Sequence, residues 1–279
     1  MTSTLTPPPL PPAAEPVGPR PNRDAARVIT ILVALLGAGV LVAVVWSGMR
    51  ASMASAFAYT GTSSIEVDRV SDLDIEVGAA DLTVRFDDVT EATLDVRNST
   101  NGEWTLRHDG QTLLVHSPRV MWGSWFGNGN GRAILTLPAE LEGSDARLSV
   151  GAGSLTADGA FGELDLGMGA GEMTVTGSAD MLVADVSAGR ADIDIDGVRE
   201  ADLQVSAGDL FARLGGQAPS EVRATVSAGS LQLTLPDDVY DVRSDVSAGG
   251  FDNGLRTASD ASAQVFVEVA AGNARLIAD

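Results

Sequence analysis

A short phrase recurs along most of this 279-residue chain, and it constrains the fold more than any other feature of the sequence. Its clear copies read VGAGSL, MGAGEM, VSAGRA, VSAGDL, VSAGSL and VSAGGF, and they begin at Val150, Met168, Val186, Val205, Val226 and Val246. Two weaker copies, VGAADL and VAAGNA, begin at Val77 and Val269. From Gly153 to Gly272, the glycines of successive copies are 18, 18, 19, 21, 20 and 23 residues apart. This spacing predicts stacked units, none of which could bury a core alone.

The apolar positions of the phrase predict a bend at its glycine. The residue three places before the glycine and the residue two places after it are apolar in every copy, as Val205 and Leu210 illustrate. In an unbroken strand these two positions would lie on opposite faces, because side chains alternate. We therefore expect the chain to bend at the glycine, which permits a bend without steric cost. Alanine stands directly before the glycine position in every copy, and we expect it, Ala207 in this example, to face inward.

Between the bends, short alternating segments such as Ala191–Ile195 predict strands of about four to six residues. The stretch between the first two copies departs from the period, and its Asn101-Gly102 and Asp109-Gly110 pairs are typical of hairpin turns. The strands predicted around these turns are Ala92–Arg97, Glu103–Arg107, Thr112–His116 and Arg132–Leu137. We interpret this stretch as an antiparallel hairpin insert that caps the stacked units.

The amino-terminal part predicts a membrane anchor. Residues Val28–Trp46 contain no charge, and as a helix they would span a bilayer core. The preceding residues, 1–27, hold most of the prolines and almost no bulky apolar side chain, which predicts a disordered tail. We thus predict a tail (1–27), a transmembrane helix (28–46), a stalk (47–64) and an extracytoplasmic β-repeat domain (65–279). The predicted fold class is all-β: a β-solenoid of stacked ~20-residue repeats with the hairpin insert, preceded by one transmembrane α-helix.

A cleaved signal peptide is the alternative, because Ala56–Ala58 has the small residues of a cleavage site. The apolar run is longer than a signal core, and Ala58 lies far beyond it, so we favour the uncleaved anchor. Arg20, Arg23 and Arg27 precede the run, whereas Arg50 alone closely follows it. This asymmetry predicts a single-pass protein of the cell membrane with a cytoplasmic amino terminus and an extracytoplasmic carboxyl-terminal domain.

The charge and composition exclude several functional classes. The chain has 38 Asp and Glu against 18 cations, all of them arginine, and a formal net charge of -20. An acidic chain repels the phosphate backbone, so we expect no nucleic-acid partner. The absence of lysine and cysteine excludes a phosphate-loop lysine, a Schiff base, thiolate nucleophiles and disulfides.

Part of the sequence resembles a known family. The strand pattern ILTLP at Ile134–Pro138 is followed by Leu148–Val150 and then by GAGSLTADG at Gly151–Gly159. These residues and the later copies of the phrase resemble the bacterial putative-adhesin family of β-strand repeat proteins, a domain of unknown function. The resemblance covers roughly Ser64–Asp279. It implies an all-β repeat domain, often behind one membrane helix and sometimes associated with envelope stress systems, and it implies no catalytic residues.

Few residues suggest chemistry. The only histidines, His108 and His116, flank the Asp109-Gly110 turn, and two ligands are too few for a metal site. The serines of the phrase have no nearby histidine to activate them. They are Ser187, Ser206, Ser227 and Ser247. We therefore predict no catalytic, cofactor-binding or metal-binding residue, and no enzyme activity.

Two acidic clusters offer oxygen ligands that calcium could use. They are Asp192, Asp194 and Asp196, and Asp237, Asp238 and Asp241. The glycine-rich nonapeptide of calcium-binding solenoids is missing, so we interpret the clusters as a solvated face.

One loop stands out in a chain with few aromatic residues. Trp122, Trp125 and Phe126 lie among glycines in Met121–Gly131. They form either a plug over the end of the domain, which we prefer, or an exposed contact for a partner.

The function predicted from the sequence is that of a membrane-anchored envelope scaffold or adhesin-like binding surface without catalysis or cofactor. Its partner would be an envelope protein or a glycan. The alternative is a polysaccharide-active β-helix enzyme that uses facing carboxylates from different units.

Overall fold

The computed structural model describes residues 59–99, 102–118 and 131–279, which form an all-β domain as the sequence predicts. The first ten strands are β1 (Tyr59–Glu66), β2 (Asp72–Val77), β3 (Asp81–Asp87), β4 (Glu91–Ser99), β5 (Thr105–Asp109), β6 (Thr112–His116), β7 (Arg132–Pro138), β8 (Asp145–Val150), β9 (Ser154–Met168) and β10 (Glu172–Val186). The others are β11 (Arg190–Asp196), β12 (Glu200–Val205), β13 (Asp209–Gly215), β14 (Glu221–Val226), β15 (Ser230–Leu235), β16 (Val239–Val246), β17 (Gly250–Asn253), β18 (Arg256–Thr257), β19 (Ala263–Val269) and β20 (Asn273–Ala278). A short 3-10 turn, Ala139–Leu141, follows β7.

The predicted β-solenoid behind a transmembrane helix is wrong as a description of this fold. The described strands form one mixed sheet of 20 strands, which contains antiparallel pairs (β1–β4, β4–β7 and β5–β6) beside its parallel pairs. The predicted helix, Val28–Trp46, lies outside the described residues. No helix within the part of the chain that the structure describes is long and apolar enough to cross a membrane.

The sheet folds into two layers with the core between them. β9 and β10 have 15 residues each and belong to both layers. The first half of β9 pairs with β3 in one layer, and its second half pairs with β8 in the other. β10 pairs with β9 along both halves. The first layer runs in the spatial order β6, β2, β8, β9, β10, β12, β14, β19, β16. The second layer runs β1, β4, β7, β3, β9, β10, β11, β13, β15, β20, β17. Inward side chains such as Leu203 and Leu233 are fully buried in one continuous apolar cluster.

The last strands are out of chain order, and this also departs from the predicted stack. β14 pairs with β19, and β16 lies beyond β19 at the edge. The inward positions of β19 are apolar, as Val265 and Val267 show, whereas the matching position of β16 next to Val267 is Ser244. A serine is less costly at an edge than between two covered neighbours, because burying an unpaired hydroxyl is unfavourable.

The bends occur where the phrase predicts them, but the alanines face outward rather than inward. β12 ends at Val205 and β13 begins at Asp209, with Val205 and Leu210 both buried. Ala207 between them is exposed, as are its counterparts in most other copies. Its N–H donates to the carbonyl oxygen of Ser187 at 2.9 Å, so the hydrogen bonds between strands continue through the bend. The predicted inward alanine is wrong.

Gly208, and not the alanine, occupies the crowded position of this bend. A Cβ on Gly208 would lie 2.7 Å from the carbonyl oxygen of Gly189 and 2.8 Å from Cγ1 of Val186. The backbone of one bend therefore stacks directly on that of the bend before it, which only a residue without a side chain permits.

The predicted hairpin between β5 and β6 is confirmed. These strands pair antiparallel around Gly110, whose φ of 64° suits the turn. β6 then joins β2 in parallel, while β4 adds to β7 and β1 adds to β4, both antiparallel. The hairpin and these antiparallel strands lie at one end of the two layers. β1 overlaps the end of the segment predicted as a stalk.

Candidate functional site

The outward side chains of the two layers differ in chemistry. The outer face of the first layer, called here the acidic face, has many more carboxylates than arginines. Its acidic residues are Asp72, Asp74, Glu76, Asp145, Glu163, Asp165, Asp185, Glu200, Asp202, Glu221, Glu268, Asp241 and Asp245. Its arginines are Arg147, Arg223 and Arg243. The outer face of the second layer, called here the mixed face, combines hydroxyl, amide, aromatic and charged side chains.

Register aligns the centre of the mixed face into a row. Asp192 on β11, Phe211 on β13 and Gln232 on β15 are partners in successive parallel strands. The row continues through Arg275 on β20 to Asp252 on β17. These residues are distant in sequence, yet parallel pairing spaces their side chains at roughly 4.8 Å from strand to strand. The row therefore offers a ring, an amide and a guanidinium in one line.

Two shallow depressions of about 390 Å³ and about 230 Å³ lie along this row. Both are lined by Phe211 and Gln232, so they meet at these residues. The larger also includes Asn273 and Arg275, and Gly250 lies beside Asn273 in the ladder. Because Gly250 has no side chain, the outer surface is lower at this point. A shallow trough of this kind suits an extended ligand that lies across the strands.

Ion pairs hold the charged groups of the mixed face in place. Arg190 donates to Asp192 at 2.9 Å, and its guanidinium lies 4.3 Å above the centroid of the Phe211 ring. Arg213 donates to Asp194 at 3.1 Å and to Asp279 at 2.5 Å. Hydrogen bonds to Asp279 and Asp194 raise the pKa of Arg213, and the bond to Asp192 raises the pKa of Arg190. Exposed pairs of this kind contribute little stability but restrict side-chain positions.

Phe211 was missed by the sequence analysis, although its position carried a signal. In the run Asp209–Leu214, Leu210, Ala212 and Leu214 are the buried, inward residues. Phe211 therefore lies on the outward parity, where most strands of this domain place polar side chains. An outward aromatic ring offers apolar area for a contact.

The cluster of Asp192, Asp194 and Asp196 lies on a solvated face, as predicted. Ala191, Ile193 and Ile195 alternate with the three aspartates and are buried. The aspartates face Arg190 and Arg213 instead of converging on one point.

The second acidic cluster is also divided among arginines. Asp237 accepts from Arg256 at 3.0 Å, and Asp241 accepts from Arg243 at 2.6 Å. Within residues 59–99, 102–118 and 131–279, no three His, Asp or Glu side chains lie close enough together to hold a metal ion.

The histidines and the serines of the phrase lie in different parts of the domain. His108 and His116 are on β5 and β6, where each opposes a residue other than histidine. Ser187, Ser206 and Ser227 lie at bends between later strands. The structure does not bring these residue types together.

Facing carboxylates, on which the alternative enzyme function depends, occur on the acidic face. Glu200 and Glu221 are partners in the adjacent strands β12 and β14. Glu221 forms an ion pair with Arg223, and Glu200 is exposed to solvent.

The aromatic loop with Trp122, Trp125 and Phe126 lies outside the described residues.

No family model matches the chain, and no curated protein is significantly similar to it. Several solved structures are similar. A putative cell adhesion protein from Clostridium sporogenes ATCC 15579 is 12% identical over 79% of this chain and 100% of that chain, with a TM-score of 0.34. A putative adhesin from Bacteroides fragilis NCTC 9343 is 13% identical over 78% of this chain and 97% of that chain, with a TM-score of 0.42. A putative lipid binding protein from Parabacteroides distasonis ATCC 8503 is 10% identical over 77% of this chain and 96% of that chain, with a TM-score of 0.28.

Two of these three structures have adhesion names.

Proposed function

We propose that this protein is a non-catalytic, adhesin-like binding protein whose mixed face holds an extended polysaccharide of the cell envelope. The observation that carries this proposal is the row of Phe211, Gln232 and Arg275 across three parallel strands, with a shallow trough beside it.

The side chains of the row match the chemistry of a sugar chain. An aromatic ring offers an apolar surface for the C–H groups of a sugar. The amide of Gln232 both donates and accepts hydrogen bonds, and the planar guanidinium of Arg275 offers several donors. Neighbouring hydroxyls on a sugar are donors and acceptors of the same kind, so a polymer could make similar contacts at successive strands.

The same geometry favours binding over catalysis. The trough is open and shallow, and its carboxylates Asp192, Asp194 and Asp252 are all in ion pairs with arginine. A glycosidase needs one carboxyl that donates a proton and a second that attacks or activates water. Carboxylates that are held by arginine are poorly suited to the first of these roles.

The proposal places this face outside the cell membrane. Its support is the sequence of residues 28–46 and the arginines around them, which lie outside the described residues. A surface with a strong negative charge is also repelled by anionic lipid, so the domain would stand clear of the membrane. Some reporter proteins are active only in the cytoplasm. Activity of such a reporter fused to the carboxyl terminus would contradict this location.

The binding proposal is tested with the full-length chain, purified in a mild detergent and sedimented with insoluble cell-wall polysaccharide. We expect Phe211→Ala to lower the apparent affinity at least about ten-fold, because a few central anchors dominate most interfaces. Phe266→Ala is the matched control: Phe266 is also half-buried and also lies beneath arginines, at 5.4 Å and 5.9 Å, but on the acidic face.

Equal loss in both variants, or loss in neither, would show that the mixed face is not the binding site. Sedimentation that depends on envelope protein in the preparation, and disappears after protease treatment of the polysaccharide, would contradict a glycan ligand.

A further inference from the structure

The edge strand β16 has a stretch of backbone without a strand partner in the described structure. On its inner side β16 pairs with β19 from Tyr240 to Val246. On its outer side β18 pairs with Val239 and Tyr240 alone. The edge from Val242 to Val246 is therefore open among the described residues, and an open edge is a template for another strand.

Part of the usual protection of an edge is missing here, although Arg243 and Asp245 carry charge on the outer face. The stretch contains no proline or glycine, and none of its inward side chains is charged. Val246 is 39% exposed, the highest value among the exposed large apolar residues of the described chain. Its ladder neighbour Val269 is fully buried because the next strand covers it. An apolar side chain is thus left uncovered where one more strand would cover it.

The sequence of this edge is complementary to itself. Residues 242–246 read Val-Arg-Ser-Asp-Val, so opposite charges and like apolar residues lie symmetrically about Ser244. In an antiparallel pair of two such strands with the twofold axis at Ser244, Val242 lies opposite Val246, and Arg243 lies opposite Asp245. The paired residues also share a face, because both valines point inward and both charged residues point outward.

Both charged side chains are accessible for this contact. Asp245 is exposed and forms no ion pair with any described residue. Arg243 donates to Asp241 at 2.6 Å within its own chain, but its side chain is 60% exposed. A guanidinium has several donors, so it can bind a second carboxylate without releasing the first.

We propose that the open edge of β16 pairs antiparallel with the same edge of a second copy of this chain, with the twofold axis at Ser244. Such an interface is isologous and closes as a dimer. It extends the first layer from one copy into the other and leaves the mixed face open. Two copies would present two polymer-binding faces, which would increase the avidity for a repeating ligand. The dimer is independent of the proposed function, since it uses the edge and not the row with Phe211.

The chain has no cysteine, so one introduced thiol tests the interface directly. The test uses Ser244→Cys in the full-length chain, purified in mild detergent. In the proposed dimer, the thiol at position 244 of one copy lies opposite the same thiol of the other copy, at a distance that a disulfide can span. We expect a disulfide-linked dimer to form roughly ten-fold or more faster than with Ser187→Cys, since pairing raises the effective thiol concentration. Ser187 is the matched control, because it is an exposed serine at an inner bend.

Charge reversal provides the second test. Arg243→Asp in the Ser244→Cys background should reduce cross-linking, because it places aspartate opposite Asp245. Adding Asp245→Arg should restore it, since the reversed pair is again complementary between copies.

Equal cross-linking of the two single-cysteine variants would overturn the proposal. So would a failure of the double reversal to restore cross-linking. Polysaccharide binding by the Arg243→Asp variant, measured separately, keeps failure of the dimer distinguishable from failure of the binding face.

Discussion

Val205 and Val246 occupy the same position of the recurring phrase, but Val205 is fully buried and Val246 is 39% exposed. Val205 ends β12, which is covered by β10 on one side and β14 on the other. Val246 ends β16, which is covered by β19 alone along most of its length. The comparison teaches that the phrase makes a side chain point inward, while burial depends on a neighbouring strand on each side.

The same contrast explains the order of the last strands. β19 has apolar residues at its inward positions and lies between β14 and β16. β16 follows β15 in sequence but has Ser244 at an inward position, and it lies at the edge. For β16 and β19, position in the layer therefore follows apolar content and not order in the chain.

The largest effect is expected at an inner bend, where backbone stacks on backbone. Gly208→Ala would place a Cβ 2.7 Å from the carbonyl oxygen of Gly189, which cannot move without disturbing its own strand. We expect a loss of about 3 kcal/mol or more in the free energy of unfolding, the upper range for overpacking. The midpoint of urea unfolding of the full-length chain in detergent measures this change.

Ala207→Leu is the control for the bend, because Ala207 is the exposed neighbour of Gly208. Its effect should stay within roughly 0.5 kcal/mol, as for most surface substitutions. A larger loss for Ala207→Leu than for Gly208→Ala would show that the alanine faces inward after all.

A moderate difference should separate the two valines of the opening comparison. Val205→Ala removes buried methyl groups between two covered neighbours, and we expect it to cost about 2 to 3 kcal/mol. Val246→Ala removes groups that are partly in water already, so its cost should be below about 1 kcal/mol. Urea unfolding at low protein concentration, where a dimer would dissociate, is the appropriate measurement. Similar losses in both variants would mean that β16 is as well covered as β12.

The smallest effect concerns pH and the buried start of β16. Tyr240 is fully buried, and its hydroxyl donates to the carbonyl oxygen of Pro236 at 2.9 Å. Burial, with smaller contributions from Asp238 and Asp237, raises the pKa of Tyr240 from 10.0 to about 12. The folded state therefore keeps the proton at a pH where the unfolded chain has lost it. This contribution to stability is complete below the unfolded pKa and is lost as the pH rises from about 10 toward about 12.

Comparison of the native chain with Tyr240→Phe isolates this contribution. Between about pH 9 and about pH 11, the native chain should lose on the order of 1 kcal/mol that the variant does not lose. Parallel pH profiles of the two proteins would show that Tyr240 has an ordinary pKa.

Much of the local structure could be predicted from the sequence. Alternation along Ala191–Ile195 correctly predicted which residues of β11 are buried, and the Asp109-Gly110 pair predicted the turn between β5 and β6. These features depend on residues close together in the chain, because parity and turn geometry are local properties.

The direction of the alanines could not be predicted in this way. At a bend the alternation of side chains is interrupted, so the parity of Val205 does not extend to Ala207. The hydrogen bonds from one bend to the next, such as that from Ala207 to Ser187, decide which residue faces the crowded side. These bonds join residues about 20 positions apart, and no short pattern records them.

The sequence by itself determined that the described domain is all-β, where the copies of the phrase bend, and which residues alternate inward in strands such as β11. Only the tertiary structure decided that β19 lies between β14 and β16, that the sheet is mixed, and that Phe211, Gln232 and Arg275 share one row. The physical reason is that side-chain direction follows from the geometry of one strand, whereas register and strand order follow from hydrogen bonds and burial between strands that are far apart in the chain.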